Sequence, residues 1–148
     1  MSELYEVVYS YTIDEAIDDG THVDARNILL PVLIEPKFQL GRIVMTVGVF
    51  DLIEINNLAG QIKINKPDCT VTFQTYELYL TCCLERHAVG DWGNVPRSDA
   101  KLNDVSLKDG SRIMSSYYID PRLPQRGEFW IITEADRSLT TLLLPCEY

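Results

Sequence analysis

Three features of the sequence predict an α+β fold: an antiparallel sheet with a C-terminal three-stranded meander and helices packed on one face. Segments rich in β-branched and aromatic residues crowd its end, at residues 112–119 (RIMSSYYI), 128–134 (EFWIITE) and 139–144 (LTTLLL). The connections between them, residues 121–127 and 135–138, are short enough for antiparallel neighbours. Ahead of them, Phe73, Tyr76, Leu80, Cys83, Leu84 and His87 recur at the spacing of one helical face.

The elements follow in order. Residues 4–10 (LYEVVYS) read as a strand. Thr12 opens a helix, with Glu15 at capping-box distance, Asp14 and Glu15 in the first turn, and Gly20 as the stop. Residues 28–34 (ILLPVLI) read as extended, with Pro31 at an edge or bulge. After the connector Glu35-Pro36-Lys37 comes a strand at residues 42–46 (RIVMT). Thr46 caps a helix whose inward residues are Val49, Phe50, Ile53 and Leu58. Residues 55–68 read as a loop with room for a short strand. Beyond the helix ending near His87, two glycines break the chain. A second helix runs over residues 99–108, with Ser98 as N-cap, Gly110 as stop, and Leu102 and Val105 facing inward. The strand at 42–46 extends the meander, with the strand at 4–10 as a further candidate for the same sheet.

Composition bounds the function. A chain of 148 residues, 46% apolar and 24% charged, has the make-up of one globular domain and excludes a disordered or fibrous chain. No apolar run approaches the ~20 residues of a membrane span, and the first residues lack the basic region of a secretory signal. A soluble, cytoplasmic protein without membrane contact is expected. The net charge of −9 is unevenly placed: residues 1–36 carry eight acidic side chains against Arg26 alone, whereas residues 37–148 are nearly neutral. The chain thus divides into an acidic N-terminal strand-helix-strand unit, residues 1–36, and an α+β body, residues 37–148, within one compact whole. No basic cluster provides the footprint that general nucleic-acid binding needs.

Asp14, Glu15, Asp18 and Asp19 form two like-charged i, i+4 pairs on one face of the first helix. Such a face is a solvated surface, a contact for a basic partner, or a seat for a divalent cation. The contact reading is adopted, with a protein of basic surface as partner and no metal. The four cysteines, Cys69, Cys82, Cys83 and Cys146, form no C-x-x-C pair. They are expected to be buried thiols in a reducing compartment. Cys83 and His87 stand one turn apart, which suits a buried contact better than an activated thiol. Phosphate loops, G-x-S-x-G and H-E-x-x-H motifs are all missing, and no cofactor is implied.

Residues 87–93 (HAVGDWG) and 130–138 (WIITEADRS), with Thr140-Thr141 and the closing Pro145-Cys146-Glu147-Tyr148, resemble boxes of a family of small proteins encoded by plasmids, phages and integrative elements. The similarity spans about residues 38–148. The chain departs from it in having Val47-Gly48 where the family has Pro-Gly, and in its greater length between Asn56 and Thr75. Residues 10–25 (SYTIDEAIDDGTHVDA) resemble the start of a second family of phage and plasmid proteins. The resemblance implies a mobile-element setting, in which small accessory proteins serve maintenance or counter host defence.

Two functions are therefore weighed. The first is a non-enzymatic interaction protein, in its sharper form a DNA-mimicking inhibitor acting through the acidic helix. The alternative is a small-ligand protein or enzyme with a pocket around His87, Asp91, Trp92 and Arg137, joined by Glu134 and Asp136. Against that pocket stands a structural account: aspartates closing turns, tryptophans as anchors, Arg137 paired with Glu134 or Asp136, and His87 at a helix end. A homodimer through an exposed strand edge is a further expectation.

Overall fold

The computed structural model describes residues 15–18, 20–29 and 34–148. The strand predicted over residues 4–10, Thr12, Asp14, Asp19 and the centre of the 28–34 run lie outside them. Seven strands are described: β1 (His22–Asp24), β2 (Arg42–Thr46), β3 (Ile62–Asn65), β4 (Thr70–Phe73), β5 (Ile113–Tyr118), β6 (Glu128–Thr133) and β7 (Leu139–Leu143). Three long helices join them: α1 (Val47–Ala59), α2 (Tyr76–Ala88) and α3 (Arg97–Asp109). Residues 15–18 form one helical turn. The fold is α+β.

Five strands form one sheet in the order β1-β2-β7-β6-β5, and β3 and β4 form a separate hairpin. The predicted meander is present, with β5, β6 and β7 antiparallel in sequence order. The sheet as a whole is mixed, because β2 lies parallel to β7, with Arg42 opposite Leu139 and Met45 opposite Leu142. β1 lies antiparallel to β2 and brings the acidic N-terminal region into the same sheet. It follows the Gly20 stop in a stretch for which no element was predicted, and a short 3-10 turn, Ala25–Asn27, comes after it.

One face of the sheet carries the main core. Met45, Leu142, Ile131, Phe129 and Tyr117 meet Val49 and Ile53 of α1 and Leu80, Cys83 and Leu84 of α2. Burial of these side chains stabilises each by about 1.5–3 kcal/mol relative to exposure. On the opposite face Val44 and Leu139 pack with Ile17.

The helix ends follow local chemistry. Thr46 caps α1 as predicted, its hydroxyl accepting from the Val49 N–H at 3.4 Å. Glu147 reinforces that end, accepting from the Gly48 N–H at 3.1 Å, where a carboxylate complements the helix dipole. α1 runs through part of the predicted loop to Ala59, and Asn57 near its end accepts from the Tyr76 N–H at 2.8 Å, so one helix caps the next. Phe73, expected to begin the long helix, belongs to β4; the helix starts at Tyr76 behind the Thr75 cap. α3 begins at Arg97 after Pro96, not behind a Ser98 cap, and ends at Gly110 in the left-handed region, φ 78°.

Two predicted helix faces are corrected. On α1, Val49 and Ile53 point inward, but Phe50 is exposed and Leu58 is 84% exposed, because buried Asn56 takes the inward position and accepts from Arg126 at 3.0 Å. On α3, Leu102 and Val105 are exposed, while Asn103 and Ser106 are buried. α3 meets the edge of β5, where backbone groups require polar partners.

Candidate functional site

His87 ends α2 with its ring fully enclosed. Its Nδ1 meets the Ser115 hydroxyl, and its Nε2 lies 2.9 Å from Thr133 Oγ1. Thr133 Oγ1 is 2.8 Å from Thr140 Oγ1, which donates 2.6 Å to the Leu40 carbonyl. Proton counting orders the chain: Thr140 spends its proton on Leu40, so Thr133 donates to Thr140 and accepts from Nε2–H. Nδ1 is then an acceptor, and Ser115 donates to it. With the imidazole neutral, this order leaves every donor in the chain with an acceptor. Burial, aided by the Arg137 charge, lowers the His87 pKa to about 3. Ser115 is also fully buried, so this serine–histidine contact has no access for a substrate.

The residues after His87 close the outer edge of β5. The Ser116 N–H donates 3.3 Å to the Trp92 carbonyl, and the Ser116 carbonyl accepts from the Asn94 N–H at 2.7 Å. One step along, Asn103 of α3 binds both backbone groups of Met114, donating at 2.6 Å and accepting at 3.2 Å. The Tyr118 carbonyl accepts from the Tyr79 hydroxyl at 2.6 Å. An edge strand that would invite another chain is thereby paired internally. This edge is not available for the dimer contact expected from sequence.

Within the loop, Asp91 accepts from Arg86 Nε at 2.7 Å and from the Gly93 N–H at 3.3 Å. The Arg86 hydrogen bond holds its carboxyl below the usual range. Trp92 donates from Nε1 to Asp104 at 2.9 Å, binding the loop to α3. Gly93 has φ 69°, and a side chain there would strike the Ser116 carbonyl. The second glycine of the box is a packing requirement.

The second box is equally structural. Arg137, itself at φ 61°, donates to the carbonyls of Ser106 at 2.9 Å, Ser111 at 2.7 Å and Glu134 at 3.2 Å. It ties the β6–β7 turn to the end of α3. Asp136 accepts from the Ser138 hydroxyl and N–H, which lowers its pKa. Glu134 donates its N–H to Leu139 at 2.9 Å and closes the hairpin.

His87, Trp92 and Arg137 do come together, around a residue that sequence reasoning missed. The Phe38 ring lies 5.4 Å from His87 and 6.3 Å from Trp92, with the Arg137 guanidinium 5.6 Å from its centre. A lone aromatic in the connector before Gly41 was the available signal. Asp91 points the other way, to Arg86, which lies 4.9 Å over the Tyr117 ring.

That second side opens into a cleft of about 460 Å³ between the β3–β4 hairpin, α2 and the loop at residues 91–94. Ile64, Val71, Phe73 and Tyr79 form its apolar wall, and Lys66, Arg86, Asp91 and Asn94 supply its polar groups. The half-buried Cys82 and the buried Cys83 also line it. Burial raises both thiols, Cys83 to about 12, so neither is an activated nucleophile. Cys69 and Cys146 are exposed, against the expectation that all four thiols are buried.

Of the acidic contact residues, Glu15 and Asp18 are exposed on the helical turn at residues 15–18; Asp14 and Asp19 lie outside the described residues. Among the described residues no three His, Cys, Asp or Glu side chains are placed to hold a metal ion, and no helix is long and apolar enough to cross a membrane. Comparison of the chain with families of known proteins, with curated proteins and with solved structures finds no match.

Proposed function

We propose that the protein is a non-catalytic interaction protein, an accessory of a mobile element acting in the cytoplasm on a partner with a basic surface. The observation that carries this reading is the outer side of α1. Val47, Phe50, Ile55 and Leu58 are exposed there, with the exposed acids Asp51 and Glu54 interleaved among them. One helix side that is both apolar and acidic suits a partner that buries apolar surface and supplies cations at the rim. Glu15 and Asp18 add acidic surface of the same sign. The catalytic alternative loses support because His87 is sealed, and Asp91, Asp136 and Arg137 are engaged in holding turns and strand edges. In its sharper form the partner is a DNA-binding or defence protein whose basic site the acids occupy.

The test is an affinity capture from host lysate across a salt series. It compares the parent chain, a variant with Asp14, Glu15, Asp18 and Asp19 changed to Lys, and Leu58→Asp. A basic protein captured by the parent, released by salt and lost with either variant supports the proposal. Clean beads from the parent at low salt, or equal recovery from all three chains, overturns it.

A further inference from the structure

The cleft beside Asp91 has its own chemistry, independent of the α1 surface. Its wall is apolar and includes the Phe73 and Tyr79 rings, which meet edge to face with centres 5.4 Å apart. Its volume of about 460 Å³ is that of a small-molecule site. The polar groups converge from three elements: Lys66 from the hairpin, Arg86 from α2 and Asn94 from the loop. Arg86 is already oriented. Asp91 takes its Nε and Nη2, and the Tyr117 ring supports its plane, while no hydrogen bond within the described residues uses Nη1. The Lys66 ammonium and the Asn94 side-chain amide also have no hydrogen bond there. Two cations against one carboxylate leave the cleft positive in a chain of net charge −9.

From this arrangement we infer that the cleft binds a small amphipathic anion: an aromatic or aliphatic body on the Ile64–Val71–Phe73 wall, with one carboxylate, sulfonate or phosphate head held by Lys66 and Arg86. Asp91 serves as the positioning residue for Arg86, and its negative charge limits the site to a singly or weakly charged head. A preorganised guanidinium loses little freedom on binding, which favours Arg86 as the anchor.

The probe is 8-anilinonaphthalene-1-sulfonate, followed by fluorescence titration of the full chain, with neutral N-phenyl-1-naphthylamine beside it. Three variants accompany the parent: Lys66→Glu, Val71→Asp and Leu58→Asp, the last as a control on the α1 surface. The inference expects one saturable site for the sulfonate, weakened about fivefold or more by Lys66→Glu and lost with Val71→Asp. It also expects no change with Leu58→Asp and no response of the neutral dye to Lys66→Glu. Far-ultraviolet circular dichroism checks each fold, and if Val71→Asp unfolds the chain, Lys66→Glu decides alone. No saturable signal, equal effects of Lys66→Glu and Leu58→Asp, or a neutral dye that matches the sulfonate would each overturn it.

Discussion

His87 Nε2 donates to Thr133 Oγ1 at 2.9 Å, joining the end of α2 to the end of β6 inside the core. The bond requires a proton on Nε2, since Thr133 has given its own to Thr140, and burial keeps the ring neutral. Stability should therefore depend on pH. The unfolded histidine titrates at 6.5 and the folded one at about 3, so unfolding takes up a proton between those values. The His87 contribution is full above pH 6.5, falls as pH drops toward 3, and levels off below. The slope approaches about 1.4 kcal/mol per pH unit for one proton. Urea unfolding between pH 4.5 and 7 of the parent and of His87→Gln measures it. His22, also lowered by burial, adds to both chains, so the difference belongs to His87. Parallel curves would refute the neutral buried ring.

Gly93 and Gly110 both have positive φ, yet they should respond differently to alanine. At Gly110 a Cβ meets nothing within 4 Å, so Gly110→Ala carries only the left-handed backbone penalty, about 1 kcal/mol. At Gly93 the Cβ would stand 2.0 Å from the Ser116 carbonyl oxygen. Gly93→Ala adds displacement of the β5 edge, and a loss of at least about 2 kcal/mol is expected. Thermal melts of the two variants give the comparison, and equal shifts would mean that the loop does not seat on β5.

On α3 the apolar residues matter less than the amide between them. Asn103→Ala leaves the Met114 N–H and C=O without their partner at a half-buried edge, a loss of about 1–3 kcal/mol. Leu102→Ala, at a position 65% exposed, should change stability by no more than about 0.5 kcal/mol. Denaturant midpoints of the two chains test the ranking. A larger loss for Leu102→Ala would restore the helix face that periodicity predicts.

The contrast on α3 shows what was legible in the sequence. Where a side chain speaks to its own neighbours the reading mostly succeeds, the Ser98 cap excepted: Thr46 caps α1, Gly110 stops α3, and the three C-terminal strands lie within a residue or two of their predicted places. It fails where a distant partner decides. Asn103 and Asn56 turn inward because Met114 and Arg126 await them, and nothing beside them in sequence announces this. Phe73 fits the helical spacing of Tyr76 and Leu80, yet it belongs to β4 and its ring meets Tyr79 edge to face. The two boxes were legible as conspicuous residues. Their work, closing the β5 edge and holding the β6–β7 turn, depends on backbone groups that have no signature in sequence.

Glu147 caps α1 from the far end of the chain. Glu147→Ala removes the acceptor for the Gly48 N–H and the partner of the Thr46 hydroxyl, at about 1 kcal/mol. The charge contribution is screened by salt, so the difference from the parent should shrink between low and high ionic strength. Melting temperatures at two salt concentrations test both statements, and a difference independent of salt would assign the effect to the hydrogen bonds alone.

The place of β7 in the sheet has a consequence for synthesis. Of the described strands, the last in chain order is the central one, flanked by β2 on one side and β6 on the other. Until it arrives, β2 and the β5–β6 hairpin both present unpaired edges and have no common neighbour. The sheet is therefore completed only once residues 139–143 have been added, through contacts of long sequence separation that form slowly. In the interval it has the open strands that chaperones shield and that aggregation exploits. A premature stop before residue 139 would produce two half-sheets with nothing between them.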